Sequence, residues 1–214
     1  RGLAGALGRL AAGTRDRAAL VQLHLRRAQV DLIRFGDAAA AVASLEKALE
    51  LDPSCETAAQ QAFEHHVDAG RHAEALAVVE RHLAATPEKP AHAVLRVRAA
   101  EMALGKPSDP ARARRHLEAA LRADPGNAAA AALLAPLLSQ AGEWQRLVEV
   151  LESTLPGADP HPGEQIRVLE RIAEAQLDRL GKPREALRTL ARALALDPRR
   201  ALTRKAMEGA AARA

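Results

Sequence analysis

Residues Gly36 to Pro53 read GDAAAAVASLEKALELDP, and the chain repeats that pattern. Gly70 to Pro87 read GRHAEALAVVERHLAATP, and Gly181 to Pro198 read GKPREALRTLARALALDP. Each stretch opens on a glycine, runs through an Ala- and Leu-rich segment of helical length, and meets a proline seventeen residues on. Superposed on their glycines, the stretches place Ala41, Ala75 and Ala186 at the fifth residue, and Leu45, Val79 and Leu190 at the ninth. Ala48 and Ala193 share the twelfth. Small residues at such a spacing let two helices approach, and the large ones fill the seam between them.

The glycines extend the pattern over most of the chain. Gly36, Gly70, Gly105, Gly142 and Gly181 stand, by subtraction, 34, 35, 37 and 39 residues apart. Each lies between two apolar, Ala-rich segments, where a glycine in the left-handed conformation would end the first helix. Pro125 and Pro160 belong to the same series, arriving three residues and one residue late. Asp precedes four of the five prolines, as Asp52, Asp124, Asp159 and Asp197, and Thr86 precedes the fifth. A proline there stops the second helix, since it has no backbone donor and restricts the residue before it. A period of this length is the signature of a helical repeat array.

These residues resemble the tetratricopeptide repeat, a 34-residue helix pair in which a turn glycine is followed by small and large apolar positions and then Asp-Pro. The resemblance spans about Val21 to Pro198. It implies an all-α, right-handed α-solenoid of antiparallel helix pairs. Residues 1–20 are expected to be a truncated preceding repeat or an N-terminal cap helix, with Leu3 to Ala12 as its second helix. Residues 21–198 are expected to hold five repeats, and 199–214 the first helix of a further repeat or a C-terminal cap. The apolar residues Ala201, Leu202, Ala206 and Met207 predict an open edge there, and an array that continues beyond the chain.

The repeats are divergent. Seven residues before the glycine, where the family has a small residue, stand Gln29, Phe63, Arg98 and Glu174. Three extra residues enter the turn from Lys106 to Pro110, Leu147 replaces a small residue, and Pro136 is expected to kink the first helix of the fourth repeat. The stretch PGADPHPG, Pro156 to Gly163, reads as an extended loop.

Composition narrows the class of function. The 214 residues include two Phe, one Trp and no Tyr, with 31 Lys and Arg against 27 Asp and Glu, a formal net charge of +4. Strands rich in aromatic and β-branched residues are missing, and so are the stacking platforms of a single-strand nucleic-acid binder. No nucleic-acid partner is expected. A helical-repeat RNA binder would also need a continuously basic groove, and Glu64 and Asp178 interrupt one. No apolar run reaches the roughly 20 residues of a membrane helix, so no membrane insertion is expected. One cysteine, Cys55, allows no internal disulfide, which fits a reducing compartment and a cytoplasmic location. The start at Arg1 carries no signal-peptide pattern.

The side chains that carry chemistry form no reactive constellation. His65 and His66 project about 100° apart on a helix. With Glu64, Asp68 and His72 they are read as a solvated turn and not as a metal site. Cys55 sits in a turn without a partner motif, and the glycines from Gly2 to Gly8 lack the Lys-Ser/Thr of a phosphate loop. Trp144 is read as a packing residue, and Arg112, Arg114 and Arg115 as a solvated face. No catalytic residue, metal or cofactor is expected, and the chain is not expected to be an enzyme.

The resemblance implies a function in holding proteins. In tetratricopeptide proteins the first helices line a concave groove that takes a peptide or helix of a partner. The corresponding positions lie ten, six and three residues before each glycine: Arg26, Val30 and Ile33; Gln60, Glu64 and Val67; Leu95, Ala99 and Met102; Arg171, Ala175 and Asp178. Of these, Arg26, Val30, Ile33, Gln60, Glu64, Val67, Leu95, Arg171 and Asp178 form the expected partner-binding set. The carboxylate clamp of tetratricopeptide cochaperones needs several Asn, and the one Asn here, Asn127, falls in a turn. The alternative is a non-catalytic recruitment or self-association arm of a larger enzyme or regulatory protein.

Overall fold

The structure, a computed structural model, describes residues 16–87, 89–105, 108–155 and 162–214. Leu3 to Ala12, the glycines from Gly2 to Gly8, the Lys106–Pro107 part of the third turn, and residues 156–161 of the long loop lie outside those residues. The described residues form eleven α-helices and no strand. They are α1 Arg17–Phe35, α2 Ala38–Leu51, α3 Glu56–Asp68, α4 His72–Ala85, α5 His92–Leu104, α6 Pro110–Ala123, α7 Ala128–Gln140, α8 Trp144–Thr154, α9 Pro162–Glu174, α10 Pro183–Leu196 and α11 Ala201–Ala211. One π-helical turn, Ala175–Arg179, continues α9. The chain packs as two units, residues 1–113 and 114–214.

Local chemistry builds each helix pair. Asp16 caps α1 by accepting from the Ala18 N–H at 3.0 Å. Gly36 ends α1 with φ at 62°. Its N–H reaches the Leu32 carbonyl at 3.0 Å, and the Asp37 N–H reaches that of Asp31 at 3.0 Å. Asp37 then caps α2 through the Ala40 N–H at 2.9 Å. Two residues thus close one helix and open the next, and so short a link forces the pair antiparallel. Gly70, Gly142 and Gly181 share the positive φ. The Asp of Asp-Pro has its own task. Asp52, Asp124 and Asp197 each accept from the backbone N–H two residues on, belonging to Ser54, Gly126 and Arg199.

In the first unit, α2 packs on α1 and α3, and α4 on α3 and α5. Ala41, Leu45 and Ala48 of α2 are fully buried, as are Ala75 and Val79 of α4. A side chain such as Leu45 contributes about 1.5–3 kcal/mol by such burial. In the second unit, α8 packs on α7, and α10 on α9 and α11. Ala186 and Leu190 join Ala173 and Ala210, with Leu177, Leu187 and Met207 packed around them. In α6 the pattern resumes three residues late, at buried Ala113, Leu117 and Ala120. Leu147, where a small residue is usual, is also buried.

Several expectations are corrected. Gly105 has φ at −65°, so no left-handed turn closes α5. A glycine suits the position, because a Cβ would crowd the Met102 carbonyl oxygen at 3.0 Å. Pro136 lies inside α7, on its exposed face, and the helix continues past it. The missing amide there leaves a carbonyl one turn back, on a side water can reach. His66 is not in a solvated turn: it is buried, with Nε2 3.3 Å from Glu46 of α2. Met207 is not part of an open edge, since it packs into the α9–α10 seam, whereas Leu202 remains 72% exposed. Arg112 and Arg114 are not freely solvated. Arg112 pairs with Glu80, and Arg114 spans Glu118 at 2.8 Å and Glu143 at 2.5 and 2.7 Å. Asn127 caps α7 through the Ala130 N–H.

Candidate functional site

The first helices of the first unit enclose two cavities. One, of about 640 Å³, lies between α1 and α3 with α2 as its floor. Arg26, Ile33 and Glu64 line it, together with Leu25, Leu32 and Gln61. Ile33 is 72% exposed and Leu32 38%, so apolar surface stands open to solvent in a cavity that a guanidinium and a carboxylate also line. Gln60 Nε2 donates to Glu64 Oε1 at 3.3 Å and steadies that carboxylate.

The other cavity, about 160 Å³, lies between α3 and α5 over α4. Gln60 and Leu95 line it. Its walls are mostly apolar, with Ala59, Val79 and Ala91, and its rims carry Glu56 and Arg98. The Arg98 guanidinium carbon stands 4.4 Å from the centroid of the Phe63 ring. Such a cation–π contact contributes about 0.5–1 kcal/mol near a surface and holds the planar group flat. His82, buried in the wall, has Nδ1 3.1 Å from the Pro53 carbonyl oxygen. That oxygen only accepts, so Nδ1 carries the proton.

In the second unit a cavity of about 380 Å³ lies between α9, with its π turn, and α11. Asp178 lines it and pairs with Arg213 at 2.6 Å. Glu170, on the same wall, accepts from Arg200 at 2.7 and 2.9 Å and from the Thr203 hydroxyl at 2.5 Å. The hydrogen bonds from Arg200 hold its carboxyl below the usual range, and that from Thr203 adds to them. Glu143 is lowered in the same way by Arg114.

The expected residues therefore fall into separate places. Arg26, Ile33 and Glu64 share one cavity, Gln60 and Leu95 another, and Asp178 a third. Val30 and Val67 are half-buried and Arg171 is exposed, all outside these three. Ala99 and Ala175 are buried and offer a partner nothing. Phe63 and Arg98 were legible only as departures from the pattern. They hold the same register in consecutive repeats, seven residues before Gly70 and Gly105. Stacked on each other, they replace the small residue of that slot. Trp144 has a similar partner, since the Arg179 guanidinium lies 4.9 Å from its ring centroid. Among the described residues no three His, Cys, Asp or Glu side chains group as metal ligands, and no helix is long and apolar enough to cross a membrane.

The model of a tetratricopeptide repeat family matches residues 32–99 and 106–169. The chain belongs to the tetratricopeptide repeat family. Members of that family are in general non-catalytic scaffolds for protein–protein interaction. Solved tetratricopeptide structures share the fold. YrrB, described as a TPR protein with an unusual peptide-binding site, is 20% identical, with a TM-score of 0.50 over 87% of this chain and 91% of its own. MamA is 18% identical, with a TM-score of 0.53 over 83% and 92%. The C-terminal part of a TPR repeat-containing protein from Cytophaga hutchinsonii is 14% identical, with a TM-score of 0.51 over 88% and 70%. No curated protein matches the chain.

Proposed function

We propose that this tetratricopeptide chain holds a segment of a partner protein between α1 and α3, and performs no chemistry of its own. The open cavity of about 640 Å³ carries the reading, with exposed Ile33 and Leu32 in a lining that also holds Arg26 and Glu64. Burying apolar groups of this kind supplies affinity, while the flanking charges set orientation and on-rate. A peptide or a helix with an apolar centre and charges at its margins fits the lining. Glu64 within the cavity favours protein over nucleic acid, whose phosphates it would repel.

The test is crosslinking capture by the full-length protein in its source cell, followed by titration of the identified partner. Ile33→Asp is expected to weaken capture at any salt, and Arg26→Glu chiefly at low salt. Exposed Arg115→Glu is the control; Arg114 does not serve, since its removal would break the pairing with Glu143. Capture untouched by both groove changes but lost on Arg115→Glu would move binding from the α1–α3 cavity to α6.

A further inference from the structure

We propose that the smaller cavity, between α3 and α5, is a side-chain socket that reads a basic–apolar–acidic pattern in an extended partner segment. The inference rests on the partner-holding reading above and adds the chemistry of the bound segment.

Three observations on the first unit support it. The cavity, about 160 Å³, is of side-chain size and opens between exposed residues, with Ala91 and the 64% exposed Val94 at its lining. Its lining is mostly apolar, with Ala59, Val79 and Leu95 beside the imidazoles of His82 and His92. Its two charges are unsatisfied: among the described residues neither Arg98 nor Glu56 has an ionic partner.

Arg98 is also held in place. Its guanidinium lies on the ring of Phe63, which is 1% exposed, so the plane is fixed while its N–H groups remain free. A planar, fixed guanidinium suits a carboxylate, which accepts two parallel N–H bonds. Glu56 stands on α3 seven residues before Phe63, two turns along the same helix, or about 10 Å. The socket therefore has a basic end and an acidic end, with an apolar hole between them. An extended chain points residues i, i+2 and i+4 to one face at about 6.6 Å intervals. A basic side chain, an apolar one and an acidic one at those positions reach Glu56, the hole and Arg98 together. The carboxylate is an internal Asp or Glu side chain and not a chain terminus.

The probe is a dye-labelled heptapeptide, acetylated and amidated, Ser-Lys-Ser-Leu-Ser-Glu-Ser, titrated by anisotropy against the full chain. Replacing its Leu by Ser, or closing the mouth with Ala91→Phe, is expected to abolish binding. Replacing its Glu by Gln is expected to cost about tenfold on the natural protein and nothing on Arg98→Gln, because the lost contact is the same one. A circular-dichroism melt unchanged in Arg98→Gln shows that the loss is not unfolding, and Arg98→Lys, which keeps charge without the flat stack, is expected to restore only part. The proposal is overturned if the peptide's Glu→Gln costs the same on both proteins. It is also overturned if no heptapeptide binds above an all-Ser control, or if binding requires a free C-terminal carboxylate. These failures leave the function above standing when the natural partner is still lost on Ile33→Asp. Capture insensitive to Ile33→Asp and Arg26→Glu, with heptapeptide binding intact, would sink that reading alone.

Discussion

Gly36 and Gly105 occupy the same place in their repeats, yet they answer to different constraints. At Gly36 the demand is a φ of 62° in open space. Gly36→Ala is expected to cost about 1–2 kcal/mol in urea unfolding, and Gly36→Asn distinctly less, since Asn tolerates the left-handed region. At Gly105 the demand is room beside the Met102 carbonyl, so Gly105→Asn should be no better than Gly105→Ala. Equal rankings at the two sites would refute the distinction. The same contrast shows what residue-level reading reaches. The spacing of glycines identified the turns, but a glycine symbol does not tell which of its two freedoms is in use. Arg98 and Phe63 illustrate the limit further. Each breaks the small-residue rule when its repeat is read separately, and only their stacking across two helices explains both.

At the scale of helices, the second helix of each pair was the more legible. Ala41, Leu45 and Ala48, and likewise Ala186, Leu190 and Ala193, are buried where the shared spacing put them. The first helices were harder. In three of them the buried small residue stands eight before the glycine, as Ala28, Ala62 and Ala173, and in the fourth repeat seven before it, as Ala135. Many of these segments alternate Ala with polar residues, so hydrophobic contrast barely marks the inward face. Ala175 shows a further cause: the π turn begins there, and one added residue rotates it from the expected groove into the core. Ala186→Phe should overpack the α9–α10 seam and cost about 1–3 kcal/mol in chemical unfolding; unchanged stability would mean that the seam has slack. The Glu170 clasp on α11 supplies a pH test. Its folded-state value lies below the ordinary 4.5, so its contribution is complete above that pH and is lost as pH falls through the lowered value. The urea midpoint of the wild type should exceed that of Glu170→Gln near neutrality, with the gap closing in acid. A gap independent of pH would show that the carboxylate's charge has no part in it.

For the whole molecule, stability in a repeat array is close to a sum of repeat terms and nearest-neighbour interfaces. Damage should therefore remain local. In Ala186→Phe, native-state hydrogen exchange is expected to quicken in α9, α10 and α11 while α2 and α3 keep their protection. Uniform loss of protection would mean that the chain unfolds as one cooperative body. The proposed partner recognition would follow the same logic of neighbours, because each of the two cavities described on the first helices of the first unit is shared by two consecutive repeats. That explains why the site was only partly legible. The residue positions ten, six and three before a glycine describe one helix, whereas Arg26 with Glu64, and Gln60 with Leu95, are pairings between helices.

The π turn at Ala175–Arg179 bears on how such a chain changes length over evolutionary time. A hydrogen-bonded loop one residue wider than its neighbours houses a single-codon insertion without moving either flank, and Gly181 still makes the same left-handed corner as Gly36. Removing one residue from that turn should therefore yield an ordinary α-helix. A family compared by counting residues will drift out of alignment here, while the corners at the glycines remain superposable landmarks.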